Sequence, residues 1–221
     1  MKNVLTSILQ GVSPQLVTEL WLDYEDTQQY QDSPFDSISG LEVFDQLEKL
    51  SLAGHRIEDL ETFPLLHSLI YLDLSHNQLH HIGSIHKAES LQYLDLSYNE
   101  LSDLHHLGKL LELRHLNLGH NFLTGIQELT LLHQLEWLSI SGQHHRGFRE
   151  LDALKGLSKL VTLFAAHIKL ESLSFVQGTE ALESLSITPL YTCDLSPLNL
   201  LPKLKELSLG AKYLNLQIHL P

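Results

Sequence analysis

The stretch LIYLDLSHNQL, residues 69–79, fits no single regular element. Its leucines at 69, 72, 74 and 79 follow neither the 3.6-residue period of a helix nor the strict alternation of a strand. The same arrangement returns as LQYLDLSYNEL from Leu91 and LRHLNLGHNFL from Leu113, a period of 22 residues. Looser copies begin at Val17, Leu47, Leu135, Leu160, Leu182 and Leu204. Self-similarity at a fixed period of this length is the mark of a solenoid.

Within each copy Leu72 and Leu74, or their equivalents, lie two apart and point to one face of a short strand. The later apolar residues recur about every three positions, as in Leu79, Ile82, Ile85 and Ala88, which suits a 3₁₀-like or extended return path. One coil has one apolar side and cannot bury it alone, so neighbouring coils must stack into a continuous core. Asn77, Asn99 and Asn121 fall where the chain leaves the strand. A stack of side-chain amides there can satisfy the backbone groups that the bend exposes. His55 and Gln143 hold the same place and can substitute in part, whereas Ile168 and Leu190 cannot, so the later coils are expected to be less regular.

The pattern L-x-x-L-x-L-x-x-N-x-L at 69, 91 and 113 resembles the leucine-rich repeat family, and the resemblance covers residues 17–214. The short unit, with Leu101, Leu104, Leu107 and Leu110 continuing the pattern, is similar to the class that includes bacterial internalins and a eukaryotic phosphatase regulatory subunit. The resemblance implies an α/β solenoid: a right-handed horseshoe with a parallel β-sheet on its concave face and 3₁₀ or extended segments on its convex face. A single domain over 1–221 is expected, with a helical cap over 1–16, about nine repeats over 17–214 and a closing cap over 215–221. Val4, Leu5, Ile8, Leu9 and Val12 carry the helical spacing of the first cap. Leu214, Leu216, Ile218 and Leu220 alternate with polar residues and predict a closing strand, antiparallel to the last repeat strand. Two repeat steps exceed 22 residues. Register puts the extra residues within EDTQQYQDSPFD (25–36) and QHHRGFRE (143–150), both at the strand's exit edge, the second carrying Arg146 and Arg149.

Composition narrows the partners. Fourteen basic against twenty-seven acidic residues give a net charge of −13, which disfavours nucleic acid, since phosphate binding needs clustered Lys and Arg. A protein or peptide with a basic or neutral contact surface is easier to accommodate. The apolar runs fall short of the roughly 20 residues of a membrane helix. Thr6, Ser7 and Gln10 interrupt the first apolar stretch and no small-x-small cleavage site follows it. The expected protein is thus a monomer, cytoplasmic or exported without a cleaved signal peptide. A single cysteine, Cys193, leaves no intramolecular disulfide and no thiolate zinc cage.

Function is expected on the concave face, where outward residues of successive coils form columns about 4.8 Å apart. The third place of the repeat gives Tyr71, Tyr93, His115 and Trp137 in its middle, between Lys49 and Thr162. The fifth place gives Trp21, Asp73, Asp95, Asn117 and Phe164, with serines elsewhere. The eighth adds Tyr24, Gly54, His76, Tyr98, His120, Gly142 and His167. Rings with polar tips supply large contact area at little entropic cost and concentrate in protein–protein hot spots. Asp73 and Asp95 stand on adjacent strands, an unfavourable pairing unless a partner's Lys or Arg meets them.

Two other classes compete. Fifteen histidines suggest a metal- or pH-responsive binder, yet zinc needs three or four ligands converging on one point, and His76 and His120 are separated by Tyr98. Cys193 followed by Asp194 suggests a thioester-forming ligase, against which stands a repeat that occupies nearly the whole chain. The preferred reading has no catalytic residue, no metal and no cofactor. It is a non-enzymatic scaffold of the effector or adhesion type, or a regulatory subunit of an enzyme such as a phosphatase.

Overall fold

Each copy of L-x-x-L-x-L contributes one strand, and the strands lie side by side in chain order. A computed structural model describes residues 5, 9, 11–27, 34–144, 151–189, 193–211 and 214–219. The strands are β1 (Glu19–Trp21), β2 (Lys49–Ser51), β3 (Tyr71–Asp73), β4 (Tyr93–Asp95), β5 (His115–Asn117), β6 (Trp137–Ser139), β7 (Thr162–Leu170), β8 (Ser184–Pro189), β9 (Glu206–Ala211) and β10 (Leu214–His219). They make one ten-stranded sheet in which neighbours in sequence are neighbours in space. β1 to β9 run parallel, and β10 turns back antiparallel to β9. The closing strand read from alternation at 214–220 is therefore present, with Leu220 outside the described residues.

The register follows the repeat position for position, since Leu50, Leu72, Leu94, Leu116, Leu138, Leu163, Leu185 and Leu207 pair in succession. A one-residue slip would turn these leucines to solvent, so burial specifies the pairing. The return segments are short 3₁₀ turns such as Leu107–Lys109, Gln127–Leu131 and Ser174–Val176. Leu101, Leu104, Leu107 and Leu110 are fully buried, and the core runs as one cluster from Leu5 to Leu207. Burying a leucine side chain stabilises by about 1.5–3 kcal/mol, and here every coil depends on its neighbours for that burial.

The bend is held by amides. Asn99 donates to the carbonyls of Leu74, Leu96 and Ser97 at 2.9, 3.1 and 3.3 Å and accepts from Leu79 N–H at 3.0 Å. Asn77 and Asn121 repeat this pattern one coil to either side. Gln143 bonds the Leu118 and Ile140 carbonyls and the Leu123 N–H, and His55 bonds the Leu22 carbonyl and the Phe35 N–H. At Ile168, where no such group exists, the strand continues: β7 is nine residues long, and its pairing with β8 shifts register between Ala165 and Lys169. Leu190 lies outside the described residues.

Both insertions fall partly outside them as well. Of the first, Tyr24–Thr27 forms a helical turn, α1, and Phe35 is buried with its ring 4.4 Å from His55. Most of the second, with Arg146 and Arg149, is not described. The cap predicted over 1–16 is described only at 5, 9 and 11–16, so its helix is not established. Leu5 is buried, Leu9 packs against the core, and Pro14–Leu16 makes a 3₁₀ turn.

Candidate functional site

The third-place column becomes a stack of rings because parallel in-register strands put equivalent side chains one strand apart. Tyr71 and Tyr93 lie 4.3 Å apart with planes 12° from parallel. Tyr93 and His115 follow at 4.3 Å and 14°, then His115 and Trp137 at 4.0 Å and 7°. These separations are shorter than the usual strand spacing of about 4.8 Å, as expected on the inner side of a curved sheet. Trp21 and Phe164, from the fifth place, lean across and close the stack at its two ends, each 5.5 Å from its neighbour and tilted by 53° and 52°. Six rings on six different coils thus form one ladder. Each ring pair contributes about 0.5–1.5 kcal/mol beyond area burial.

Beside it runs the fifth-place polar column. Asp73 accepts from the Ser75 N–H at 2.8 Å, and Asp95 accepts from the Ser97 N–H and hydroxyl at 2.8 and 2.6 Å. The other Asp95 oxygen accepts from the Asn117 amide at 2.9 Å, and Asn117 in turn accepts from the Gly119 N–H at 3.1 Å. These aspartates therefore tie down the turn after each strand, a local task that sequence reading overlooked. The D-x-S spacing at 73–75 and 95–97 is the signal that marks it, because a carboxylate reaches a backbone N–H two residues on. Burial pushes the Asp73 carboxyl above the usual carboxylate range, the Ser75 bonds opposing and Asp95 adding to it. Burial likewise holds the Tyr93 phenol well above its usual value and the His115 imidazole below its own.

The eighth place forms a second ladder just past the strand. His76 stacks on Tyr98 at 4.3 Å and Tyr98 on His120 at 4.2 Å, with planes 9° and 11° from parallel. His167 stands at the same place with no ring contact to His120 among the described residues. The backbone here is left-handed in coil after coil, with φ of 54° at His76 and Tyr98, 55° at His120, 63° at His167, 78° at Gly54 and 71° at Gly142. Glycine suits such φ values. A tyrosine does not.

Residues 45–101 match the family model "Leucine rich repeat", and residues 89–131 match "Leucine Rich repeats (2 copies)". Among solved structures, internalin C2 of Listeria monocytogenes is similar at 30% identity and a TM-score of 0.70, over 80% of this chain and 77% of that one. The chain belongs to the leucine-rich repeat family. A second internalin of the same bacterium, inlF, is similar at 26% identity and a TM-score of 0.68, over 84% of this chain and 53% of that one. A leucine-rich repeat protein of Leptospira interrogans shares the fold at 22% identity and a TM-score of 0.56, over 78% of this chain and 50% of that one. Among curated protein sequences none matches. Leucine-rich repeat domains of this kind typically mediate protein–protein contacts and are typically not enzymes.

In this leucine-rich repeat the strained eighth place yields a prediction. A left-handed non-glycine residue costs about 1–2 kcal/mol, an amount similar to the stacking that Tyr98 gains from two neighbours. Tyr98→Gly should therefore leave the free energy of unfolding within about 1 kcal/mol of the wild type, measured by urea titration. Tyr98→Val, β-branched at the same φ, should lose clearly more.

Most of the remaining histidines sit apart from these ladders. His80 pairs with Glu100, and His81 and His105 pair with Asp103, all on exposed return segments. His106 adopts φ 74° and lies 5.1 Å from His86. His144 is near Phe122 and His120, and His145 lies outside the described residues. Among the described residues no three His, Cys, Asp or Glu side chains are grouped to hold a metal ion, and no helix is long and apolar enough to cross a membrane. Cys193 is buried, and that burial, with Asp194 adding, raises its thiol above the usual range, the reverse of what a nucleophilic thiolate needs. Asp194 is occupied by the Ser196 N–H and hydroxyl at 2.9 and 2.6 Å.

Proposed function

We propose that the chain, cap to cap, is a single binding scaffold that grips a protein or peptide on its concave wall, as a bacterial effector or adhesion-type protein. The observation that carries this reading is the ladder Trp21–Tyr71–Tyr93–His115–Trp137–Phe164, a row of partly exposed rings with a row of polar groups alongside. The leucines and bend amides already hold the fold, so rings at solvent-facing places add a preformed surface. Aromatic residues fixed by their neighbours lose little freedom on docking, which is the property of binding hot spots. The partner surface is basic or neutral, because the scaffold carries −13.

The test begins with capture on the immobilised chain, identification by mass spectrometry and titration of the purified partner. Tyr93→Ala and Trp137→Ala should each weaken that binding by about 30-fold or more, the threshold of a hot spot. Serine variants at the exposed convex residues Leu111 and Leu131 should leave it unchanged. Retention of wild-type affinity by folded Tyr93→Ala and Trp137→Ala proteins removes the concave wall from consideration.

A further inference from the structure

The third-place ladder gathers oxidisable side chains as well as contact area. Both tryptophans of the chain stand in it, and Tyr71 and Tyr93 lie between them. Sulfur, a common sink for oxidants, is scarce elsewhere: the chain has one methionine and one cysteine, and Cys193 is buried. The rings of Tyr71, Tyr93 and Trp137 are only partly buried and Trp21 is exposed, so a small oxidant reaches the row from the concave side.

An electron lost anywhere along this row is made good at the expense of the two phenols. Trp21 touches Tyr71 directly at 5.5 Å, and Trp137 reaches Tyr93 across one imidazole, in steps of 4.0 and 4.3 Å. At neutral pH a tyrosine gives up an electron together with its proton at slightly lower cost than a tryptophan does, so oxidation begun on either indole settles on a phenol. Asp73 and Asp95, in the adjoining column, act electrostatically on both phenols, and negative charge nearby stabilises a ring that has lost an electron.

Two phenols that share this fate are already paired. Tyr71 and Tyr93 are register partners with rings 4.3 Å apart and 12° from parallel, and no other two tyrosine rings are in contact among the described residues. Tyr24 has His55 beside it, and Tyr98 has His76 and His120. We propose that Tyr71 and Tyr93 form an oxidative cross-linking site, joined as dityrosine when the chain meets a one-electron oxidant such as a peroxidase intermediate. Each phenol gives one electron to the oxidant and its O–H proton to water, leaving two phenoxyl radicals. These join through a new bond between the ring carbons ortho to the oxygens. The hydrogens on those carbons leave as protons while both oxygens are reprotonated. The oxidant gains two electrons, the solvent gains two protons, and the chain is lighter by two hydrogens. Rotation about the side-chain bonds brings the ortho carbons together without moving either strand, and the product staples β3 to β4.

The full chain, with no partner present, is illuminated with tris(bipyridyl)ruthenium and persulfate, then read by intact mass, dityrosine fluorescence and tryptic mapping. Cleavage after Arg56, Lys87 and Lys109 puts Tyr71 in 57–87 and Tyr93 in 88–109, which the cross-link holds together. The main dityrosine product should be a monomer lighter by two hydrogens, with fragmentation placing the bond at Tyr71 and Tyr93 and a yield per molecule that dilution leaves unchanged. Tyr71→Phe and Tyr93→Phe, each folded by circular dichroism, should abolish it. Tyr98→Phe, in the same tryptic peptide as Tyr93, should leave it intact. Dityrosine that survives in either Tyr71→Phe or Tyr93→Phe overturns the site, as do a bond mapped to Tyr98, a product confined to cross-linked dimers, and oxidation that stops at the indoles. Those results leave the concave-wall reading untouched, since it stands or falls on partner affinity in Tyr93→Ala and Trp137→Ala.

Discussion

Asn99→Ala is expected to lower the free energy of unfolding by about 3–5 kcal/mol, although the residue touches no partner surface and lies outside the leucine core. The Asn99 side chain serves three carbonyls and one N–H on two coils, and it is 4% exposed. A buried polar group left unmade costs about 1–3 kcal/mol, and alanine leaves several so. Asn99→Gln should lose roughly half as much, because Gln143 already performs the equivalent task for Leu118, Ile140 and Leu123. Urea unfolding followed by circular dichroism measures both. A loss under about 1 kcal/mol for Asn99→Ala would mean that water replaces the amide without penalty, and the bend would need another explanation.

Mild acid should destabilise the wild type, and His55 should be a main cause. Its imidazole is 3% exposed, with the Phe35 N–H donating to Nδ1 at 3.1 Å and Nε2 bonded to the Leu22 carbonyl. An imidazole that accepts on one nitrogen and donates on the other must be neutral. Burial lowers its pKa below the usual histidine value, opposed by the Leu22 bond and Asp23. The same direction holds at His115 and His120, again through burial. With folded pKa values depressed, the stability these groups contribute is complete above the unfolded value near 6.5 and is lost as pH falls through the lower folded values. The wild type should therefore unfold at lower urea at pH 5.5 than at pH 7.5. His55→Gln keeps a donor and an acceptor at that bend, as Gln143 does, and should flatten the pH dependence. An unchanged slope in His55→Gln would assign the acid sensitivity to other groups. The depressed carboxylates Glu19, Asp103, Asp152, Glu183 and Asp194 act in the same direction only at lower pH, below their unfolded range near 4.

Much of this molecule was legible because one constraint repeats. Leucines two apart, multiplied along the chain, fix strand, register and core together, and an asparagine at a fixed offset has only one set of groups to serve. The columns Tyr71–Tyr93–His115–Trp137 and Asp73–Asp95–Asn117 follow from register alone. Geometry beyond register was not legible. Nothing in the spacing says that Trp21 leans past Lys49 to reach Tyr71, or that His120 tips over Gly142 while Tyr24 leaves Gly54 open. Such choices depend on rotamers and on local gaps, which a period does not encode. A second role of the carboxylates was not legible for a related reason. A column diagram of Asp73 and Asp95 shows only their mutual repulsion, whereas each is also engaged along its own chain, by a turn only two residues away.

The bend amides also have a direction. Asn77, Asn99, Asn121, Gln143 and His55 each reach back to the preceding coil, so each of the first five coils is latched by its successor. Among the described residues the last such latch is Gln143, and past Ile168 the Thr188 hydroxyl accepts from the His167 N–H. Thermal opening therefore starts from the C-terminal coils and proceeds as an unzipping that meets its first firm stop at Gln143, so that amide exchange with deuterated solvent is fastest beyond β7 and slowest in the coils of the ring ladder.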